Sequence, residues 1–103
     1  MSVADLPSTA EEPAALAAAL SSDGCPALAL LLDVSDAGQV EDAVAAHVER
    51  FGGGDVTVAN AGIAVTASLL ETTAEQWQRT LDVNVMGVAH CYSAAARQMI
   101  PQG

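Results

Sequence analysis

Residues 55–62, DVTVANAG, form a short apolar run that ends in small and polar residues, and this run determines the architecture. Positions 56–58 carry β-branched side chains, positions 52–54 are all glycine, and Gly62 closes the far end. This pattern predicts a buried strand of a parallel sheet. Ligands of open α/β sheets bind just beyond the carboxyl ends of such strands, where small residues allow close approach to the backbone. Asn60 and Gly62 stand at that end, so we expect them to border a ligand.

Together with its flanking regions, this run predicts three strands alternating with three helices. The strands are expected at residues 2–5, 27–32 and 55–59, and the helices at 11–20, from a cap at 35 or 36 to 51, and at 73–99. The run at 27–32 is continuously apolar, which is typical of a strand buried on both faces. Asp36 with Gln39, and Thr73 with Gln76, have the spacing of capping boxes. The alternation predicts an α/β fold with one parallel sheet and right-handed crossovers, in a single domain over residues 1–103.

The longest helix has an apolar face on which one polar residue also lies. The face comprises Leu81, Val85, Val88, Tyr92 and Met99. Asn84 follows Leu81 by one helical turn and shares this face. A buried amide without hydrogen-bond partners costs about 1–3 kcal/mol, so we expect Asn84 to be hydrogen-bonded. Trp77, Tyr92 and the methionines are expected to pack without a chemical role.

The charge balance restricts the partners of this chain. Acidic residues number 13 against three arginines, with no lysine, and the formal net charge is −10. Nucleic acids and anionic membranes attract basic surfaces, so we expect neither as a partner. The two cysteines and two histidines lack the spacing of metal ligands, and we expect reduced, mostly buried thiols. No apolar run reaches the ~18 residues of a membrane span and no basic leader opens the chain, so we expect a cytoplasmic protein.

Four sequence features occur together and in a fixed order. They are Asp5 after the first strand, Asp33 with Val34 after the second, NAG at 60–62 after the third, and VNV at 83–85 followed by Gly87 in the long helix. Together they resemble the short-chain dehydrogenase/reductase family, and the resemblance covers essentially the whole chain. It implies a Rossmann-type three-layer sandwich and an oxidoreductase that uses NAD(P) to transfer hydride between an alcohol and a carbonyl.

The resemblance assigns three residues to the adenosine part of the cofactor. Asp5 would accept hydrogen bonds from the ribose hydroxyls and repel a 2′-phosphate, which favours NAD over NADP. Asp33 and Val34 would lie beside the adenine ring, with the carboxylate accepting from the ring's amine. Simpler interpretations stay open, with Asp5 as an acid in a frayed terminus and Asp33 as a loop residue that helps to cap the next helix.

The resemblance also assigns roles further along the chain. Asn60, Ala61 and Gly62 would stabilise the sheet and lie along a cofactor ribose, although Asn and Gly also suit a strand-ending turn because both tolerate positive φ. Asn84 matches the family's Asn that holds a water in a proton relay reaching the catalytic Lys, and it is the candidate catalytic residue. A structural role of Asn84 in the helix is the alternative.

Two further family motifs are absent from these 103 residues. The family opens with a strand and a glycine-rich turn, G-x-x-x-G-x-G, that holds the cofactor's pyrophosphate. Its catalytic Ser and Tyr-x-x-x-Lys pair follow the long helix; here there is no lysine, and Ala96 stands four residues after Tyr92. The resemblance therefore implies an internal segment of such an enzyme, without turnover alone.

The missing first strand has a consequence for folding. In the family it lies between the strand near Asp5 and the strand near Asn60, so its absence should leave two unpaired edges. We expect a marginally stable chain, or a shift of the third strand beside the first, or a partner that fills the gap. The expected small-molecule partners are a nicotinamide dinucleotide and a small alcohol or carbonyl. A non-catalytic interaction module, or a homo-oligomer formed through helix 73–99, is the alternative.

Overall fold

The computed structural model describes all 103 residues. Its elements are β1 (Ser2–Asp5), α1 (Glu11–Ser22), β2 (Leu28–Leu31), α2 (Ala37–Phe51), α3 (Ala74–Leu81) and α4 (Val88–Gln102). A 3-10 turn, Pro7–Thr9, precedes α1, and a π-helical turn, Asp82–Gly87, joins α3 to α4. β1 and β2 pair in parallel, with Ser2 opposite Leu28 and Asp5 opposite Leu31. The prediction of an α/β fold with a parallel sheet is confirmed.

The helices begin where their capping residues predict. The Asp36 carboxylate accepts from the Gln39 N–H at 3.2 Å, which identifies Asp36 rather than Ser35 as the cap of α2. Thr73 and Gln76 form the complete capping box before α3. These side chains satisfy N–H groups that have no partner inside the first helical turn. At the other end α2 stops at Gly52, whose φ of 85° lies in the left-handed region that glycine adopts at low cost.

The main apolar core lies between β2, α2 and α4. Leu32, Val40 and Ala94 form its buried centre. Because strand side chains alternate between faces, Leu30 shares the face of Leu32, whereas Leu31 points to the side on which α1 packs. Leu31 is 49% exposed, so the prediction that β2 is buried on both faces is wrong. The single helix α1 leaves part of that face open to water.

The predicted strand at residues 55–59 is not formed. Residues 55–62 make no backbone–backbone hydrogen bond, and the sheet contains β1 and β2 alone. Val56 and Val58 are 82% and 79% exposed, although their β-branched side chains suggested burial. A strand needs a neighbour on which to satisfy its backbone groups, and no strand of this chain lies beside this segment. The expected shift of the segment to a place beside β1 does not occur.

Two side-chain amides hold this extended segment at its ends. Gln102 accepts from the Gly54 N–H at 3.2 Å and donates to the Gly54 carbonyl at 2.9 Å. Asn84 accepts from the Ile63 N–H and donates to the Ile63 carbonyl, both at 2.8 Å. Each amide thus bonds one residue in the way that a neighbouring strand would. Side chains of the π-helical turn and of α4 therefore hold the two ends of this segment, although it belongs to no sheet.

The predicted uninterrupted helix over 73–99 is also corrected. The π-helical turn at Asp82–Gly87 divides it, and the last helix continues through Pro101 to Gln102. The π turn changes which side faces the core: Val83 is 4% exposed, whereas Leu81, Val85 and Tyr92 of the predicted apolar face lie about half in solvent. Trp77 is equally exposed, so Trp77 and Tyr92, which we expected to be packing residues, are only about half covered by the protein. No helix of the protein has both the length and the apolar character that a bilayer-spanning helix requires.

Candidate functional site

The candidate residues converge at the carboxyl end of the two paired strands. Asp5 is the last residue of β1, and Asp33 and Val34 lie just after β2. The Leu32 N–H donates to the Asp5 carbonyl at 3.0 Å, which holds the two strand ends side by side. The first two acidic residues selected from the sequence therefore lie at the same edge, as the parallel arrangement requires.

Asp5 presents a carboxylate that is only partly used by the protein. Its Oδ1 atom accepts from the Leu6 N–H at 2.7 Å, and its Oδ2 atom has no protein partner. Asp5 is exposed. Because it is paired in β1, it is not part of a frayed terminus. Its free oxygen can accept hydrogen bonds from hydroxyl groups of a bound molecule.

Two residues that the sequence did not connect with Asp33, Ser35 and Arg79, hold its carboxylate. Its Oδ1 atom accepts from the Ser35 hydroxyl at 2.6 Å and from the Ser35 N–H at 2.9 Å. Its Oδ2 atom pairs with Arg79 of α3 at 2.8 Å, and Arg79 also donates to the Ser35 hydroxyl. The Ser35 hydroxyl, and then Arg79, lower the pKa of the Asp33 carboxyl from 3.8 to about 2. Asp33 does not cap α2, since Asp36 does.

One hydrogen-bond position of Asp33 stays open. Carboxylate oxygens accept about two bonds each, so Oδ1 is saturated by Ser35 while Oδ2 has one further acceptor site. The side chain is 27% exposed, so this site can be reached from solvent. The sequence does carry a signal for Arg79, because it is one of only three basic residues among the 103.

Val34 is fixed against the start of α4. A Cβ atom placed on Gly87 would lie 2.6 Å from Val34 Cγ2 and 3.1 Å from Val34 Cβ, so the packing of the Val34 side chain against this position favours glycine at 87. The His90 Nδ1 atom lies 2.9 Å from the Val34 carbonyl oxygen, so it donates as Nδ1–H. These contacts fasten the turn after β2 to the last helix. The match to the family at Gly87 thus has a packing reason.

Asn60 and Ala61 border the same cleft as Asp5 and Val34. Gly62 lies beyond them, and a Cβ there would be 3.5 Å from Asn84 Oδ1, which is an ordinary contact. The only positive φ angles occur at Gly24, Gly52 and Gly103, so the interpretation of residues 60–62 as a positive-φ turn is wrong. Asn84 is hydrogen-bonded, as expected, but it is exposed and not buried.

The cleft has a volume of about 860 Å³ and runs between β1 and residues 55–61, with α2 and α4 as its floor. Its lining is mainly apolar and includes Leu30, Val44 and Met99. No three His, Cys, Asp or Glu side chains cluster in a way that could hold a metal ion. Cys91 is half-buried, which raises the pKa of its thiol, whereas Cys25 is exposed, so the expectation of mostly buried thiols holds for Cys91 alone.

Comparison with known proteins agrees with this geometry. The sequence matches the short chain dehydrogenase family over residues 1–103. It is 40% identical to the short-chain dehydrogenase/reductase eriH of Hericium erinaceus, covering 100% of this chain and 42% of that protein. A Burkholderia cenocepacia short-chain dehydrogenase, solved in complex with NADP, is similar at a TM-score of 0.88 and 36% identity, over 94% of this chain and 39% of that one. A short-chain type dehydrogenase/reductase from Mycobacterium marinum is similar at a TM-score of 0.90 and 33% identity, over 98% of this chain and 40% of that one.

The parallel strands, the acidic residues Asp5 and Asp33 at their carboxyl edge, and these similarities define one class of protein. The chain belongs to the short-chain dehydrogenase family of oxidoreductases, and its fold is that of their Rossmann-type domain. It spans about two fifths of the length of the relatives it matches, with 42% of one and 39% of another covered.

Proposed function

We propose that this chain forms the adenosine-binding part of an NAD(P)-dependent oxidoreductase that transfers hydride between an alcohol and a carbonyl. The observation that carries the proposal is the meeting of Asp5, Val34, Asn60 and Ala61 around one cleft at the carboxyl edge of the parallel strands. Dinucleotides bind at this edge in open α/β sheets. When bound, the nicotinamide would carry the hydride; the residues described here would bind and orient the other half of the cofactor.

The side chains present suit an adenosine group. The free Oδ2 atom of Asp5 would accept from the ribose hydroxyls. Val34 would cover one side of the adenine ring, and its position is secured by Gly87 and His90. The remaining acceptor site of Asp33 would take one hydrogen bond from the adenine amine while Ser35 and Arg79 keep the carboxylate in place. Asn60, Ala61 and Gly62 would lie along the second ribose.

We propose NAD rather than NADP as the preferred cofactor of this site. Asp5 carries a negative charge at the position expected for the ribose, and a 2′-phosphate would meet it at unfavourable electrostatic cost. Relatives that use either cofactor are known. The B. cenocepacia structure contains NADP, and a Mycobacterium tuberculosis protein that is 35% identical over 94% of this chain is named an NAD-dependent oxidoreductase. The preference therefore depends on Asp5 itself.

We further propose that the 103 residues alone are catalytically inactive. The family's Tyr-x-x-x-Lys pair cannot be present in a chain without lysine. Asn84, the candidate catalytic residue, has its amide occupied by both backbone groups of Ile63, which supports a structural role for the side chain. A π turn at this point is typical of functional segments, and the Asn84 backbone could still take part in a relay when the rest of such an enzyme is present.

Titration calorimetry with the purified chain tests the binding proposal. We expect NAD to bind more tightly than NADP. If the Asp5 carboxylate causes this preference, Asp5→Asn should lower the ratio of the NADP and NAD dissociation constants by at least about tenfold. Asp23→Asn is the matched control, because Asp23 is an exposed acid at the distant end of α1 and should not change either affinity. Equal affinities for the two cofactors in the parent chain would refute the NAD preference.

Assays of alcohol oxidation by the purified chain test the proposed inactivity. We expect no turnover above the rate without protein. Cofactor-dependent oxidation that follows the protein through purification would overturn it.

A non-catalytic interaction module is the second candidate, and one observation favours it. Leu81, Val85 and Tyr92 leave an apolar surface exposed along α3 and α4, where a second copy could pack. The coding DNA on both sides distinguishes the candidates. A glycine-rich turn upstream and a Tyr-x-x-x-Lys downstream would support the enzyme, and their absence would support the module.

A further inference from the structure

Arg79 of α3 reaches the turn after β2 and closes a ring of hydrogen bonds there. Its Nη2 atom donates to Asp33 Oδ2 at 2.8 Å, and its Nη1 atom donates to Ser35 Oγ at 2.7 Å. The Ser35 hydroxyl in turn donates to Asp33 Oδ1 at 2.6 Å. One planar guanidinium therefore ties both carboxylate oxygens, Oδ2 directly and Oδ1 through Ser35. A planar group that holds two partners at once fixes their orientation as well as their distance.

The backbone of the same turn is held as well. The Asp33 N–H donates to Gln39 Oε1 at 2.9 Å, and the Val34 carbonyl accepts from His90 at 2.9 Å. Ser35 bonds only the Oδ1 atom, about which the carboxylate can still pivot. The contact of Arg79 with Oδ2 removes this last freedom. The open acceptor position on Oδ2 therefore has a fixed location at the edge of the sheet.

The same contacts keep the carboxylate ionised. The Ser35 hydroxyl, and then Arg79, lower the pKa of the Asp33 carboxyl to about 2. An ionised carboxylate only accepts hydrogen bonds, whereas a protonated one can also donate. At neutral pH the open position thus accepts from a donor and repels a carbonyl oxygen of a ligand.

A fixed acceptor distinguishes two kinds of purine base. A 6-amino purine carries its donor on C6, whereas a 6-oxo purine carries an acceptor on C6 and its donor on N1, one ring position away. A mobile carboxylate could follow the donor from one position to the other and bind both bases. A carboxylate that cannot move meets the oxo group with like charge, so it binds the 6-oxo base less well.

We propose that Arg79 is a positioning residue that makes this site selective for a dinucleotide with a 6-amino purine over its 6-oxo analogue. Arg79 acts through Asp33 and does not touch the cofactor. The inference rests on the proposed function, because it requires the adenosine end of the cofactor to reach this edge. It is separate from the role of Asp5, since the two analogues carry the same ribose.

Titration calorimetry of the full 103-residue chain with NAD and with nicotinamide hypoxanthine dinucleotide tests the proposal. We expect the parent chain to bind NAD at least about tenfold more tightly than the hypoxanthine analogue. Arg79→Gln frees the carboxylate and should bring the two dissociation constants within about threefold of each other. Arg79→Lys keeps the charge but not the two-point hold, so its ratio should lie between these values. Arg97→Gln is the matched control, because it breaks an exposed ion pair with Glu41 and should leave the ratio unchanged.

Two further variants separate positioning from a general effect on the fold. Ser35→Thr retains the hydroxyl and should retain the parent ratio. Asp33→Asn presents an amide that can either donate or accept, so it should abolish the ratio by itself, and adding Arg79→Gln should then change nothing further. A loss of folded protein weakens the binding of both dinucleotides equally, so the ratio reports recognition of the base alone.

The outcomes distinguish this inference from the proposed function. If the parent chain binds both dinucleotides with equal affinity, the inference is overturned while the proposed function stands. A parent-like ratio in Arg79→Gln would also overturn it, as would a further change when Arg79→Gln is added to Asp33→Asn, because Arg79 would then meet the cofactor directly. If the parent chain binds neither dinucleotide, the proposed function is refuted and the inference fails with it.

Discussion

Replacing Gly87 by alanine should destabilise the protein, because the new methyl group has no room. Its carbon would lie 2.6 Å from Val34 Cγ2, 3.1 Å from Val34 Cβ and 3.5 Å from the Val34 carbonyl oxygen. Rotation of the Val34 side chain can move Cγ2 but cannot relieve the contact to Cβ, whereas the distance to the carbonyl oxygen is an ordinary contact. Overpacking of this kind costs about 1–3 kcal/mol. Alanine gains at most ~1 kcal/mol over glycine in a helix, so we expect a net loss of up to about 2 kcal/mol.

Urea denaturation followed by far-ultraviolet circular dichroism measures this loss. Gly38→Ala is the matched control, because Gly38 lies exposed in the first turn of α2 and its added Cβ would meet only Asp36 Oδ1 at 3.3 Å. The control should be as stable as the parent or slightly more stable. In a Val34→Ala background the γ carbons are gone, so the cost of Gly87→Ala should fall by about half or more.

An unchanged unfolding midpoint would contradict this account of Gly87. If Gly87→Ala unfolds at the same urea concentration as the parent, the turn after β2 can move away from α4 at no cost. Val34 would then not be held in place by that helix. If the loss persists undiminished in the Val34→Ala background, its cause lies in the helix backbone and not in the contact with Val34.

Three further substitutions test individual side-chain contacts: the Arg79–Asp33 pair, the Asn84 amide and the Thr73 cap. Arg79→Gln should cost about 0.5–1 kcal/mol at neutral pH, because the pair with Asp33 is partly exposed. The pKa of Asp33 is about 2 in the fold against 3.8 ordinarily, so this stabilisation is complete above about pH 4 and is lost as the pH falls towards 2; urea denaturation across that window measures it. Asn84→Leu should cost about 1–2 kcal/mol and speed amide exchange at Ile63, since both Ile63 backbone groups lose their partners. Thr73→Ala should lower the free energy of unfolding by about 1 kcal/mol through loss of the cap, as measured by urea denaturation.

Each of these changes has a control or a contradicting result. Arg97→Gln breaks a more exposed pair with Glu41 and should have a smaller effect on the free energy of unfolding at neutral pH. Asn84→Asp keeps the acceptor for the Ile63 N–H and should lie between parent and Leu variant. A Thr73→Ser variant retains the hydroxyl and should restore the stability.

Local signals predicted the local structure well. The caps at Asp36 and Thr73 and the end of α2 at Gly52 follow from spacing within a few residues, and the parallel pairing of the strands follows from the alternation of strands and helices. The position of Asp5 and Asp33 at one edge of the sheet was predictable too, because parallel strands bring their carboxyl ends to the same edge. Asp5 and Val34 therefore border one cleft as expected.

Features that depend on distant residues could not be predicted in this way. The β-branched run at 56–58 is a strand sequence, but its conformation depends on a neighbour that this chain does not provide. The Arg79–Asp33 pair joins residues 46 positions apart, and no spacing rule marks it. The π turn at Asp82–Gly87 has no sequence signal of its own, and three of the five residues predicted for the apolar face of the long helix, Leu81, Val85 and Tyr92, lie about half in solvent.

The number of residues in that π turn determines how α4 is oriented towards the site. Each added residue rotates the remainder of the helix by about 100° around its axis, so Gly87 and His90 meet Val34 only because Asp82–Gly87 contains one residue more than an α-helical turn would. Deleting one residue from this turn would rotate α4 about its axis by about 100° and move Ala94 and Ala95 out of the interior. The stretch at 64–72, which is exposed almost throughout, carries no such constraint on its length.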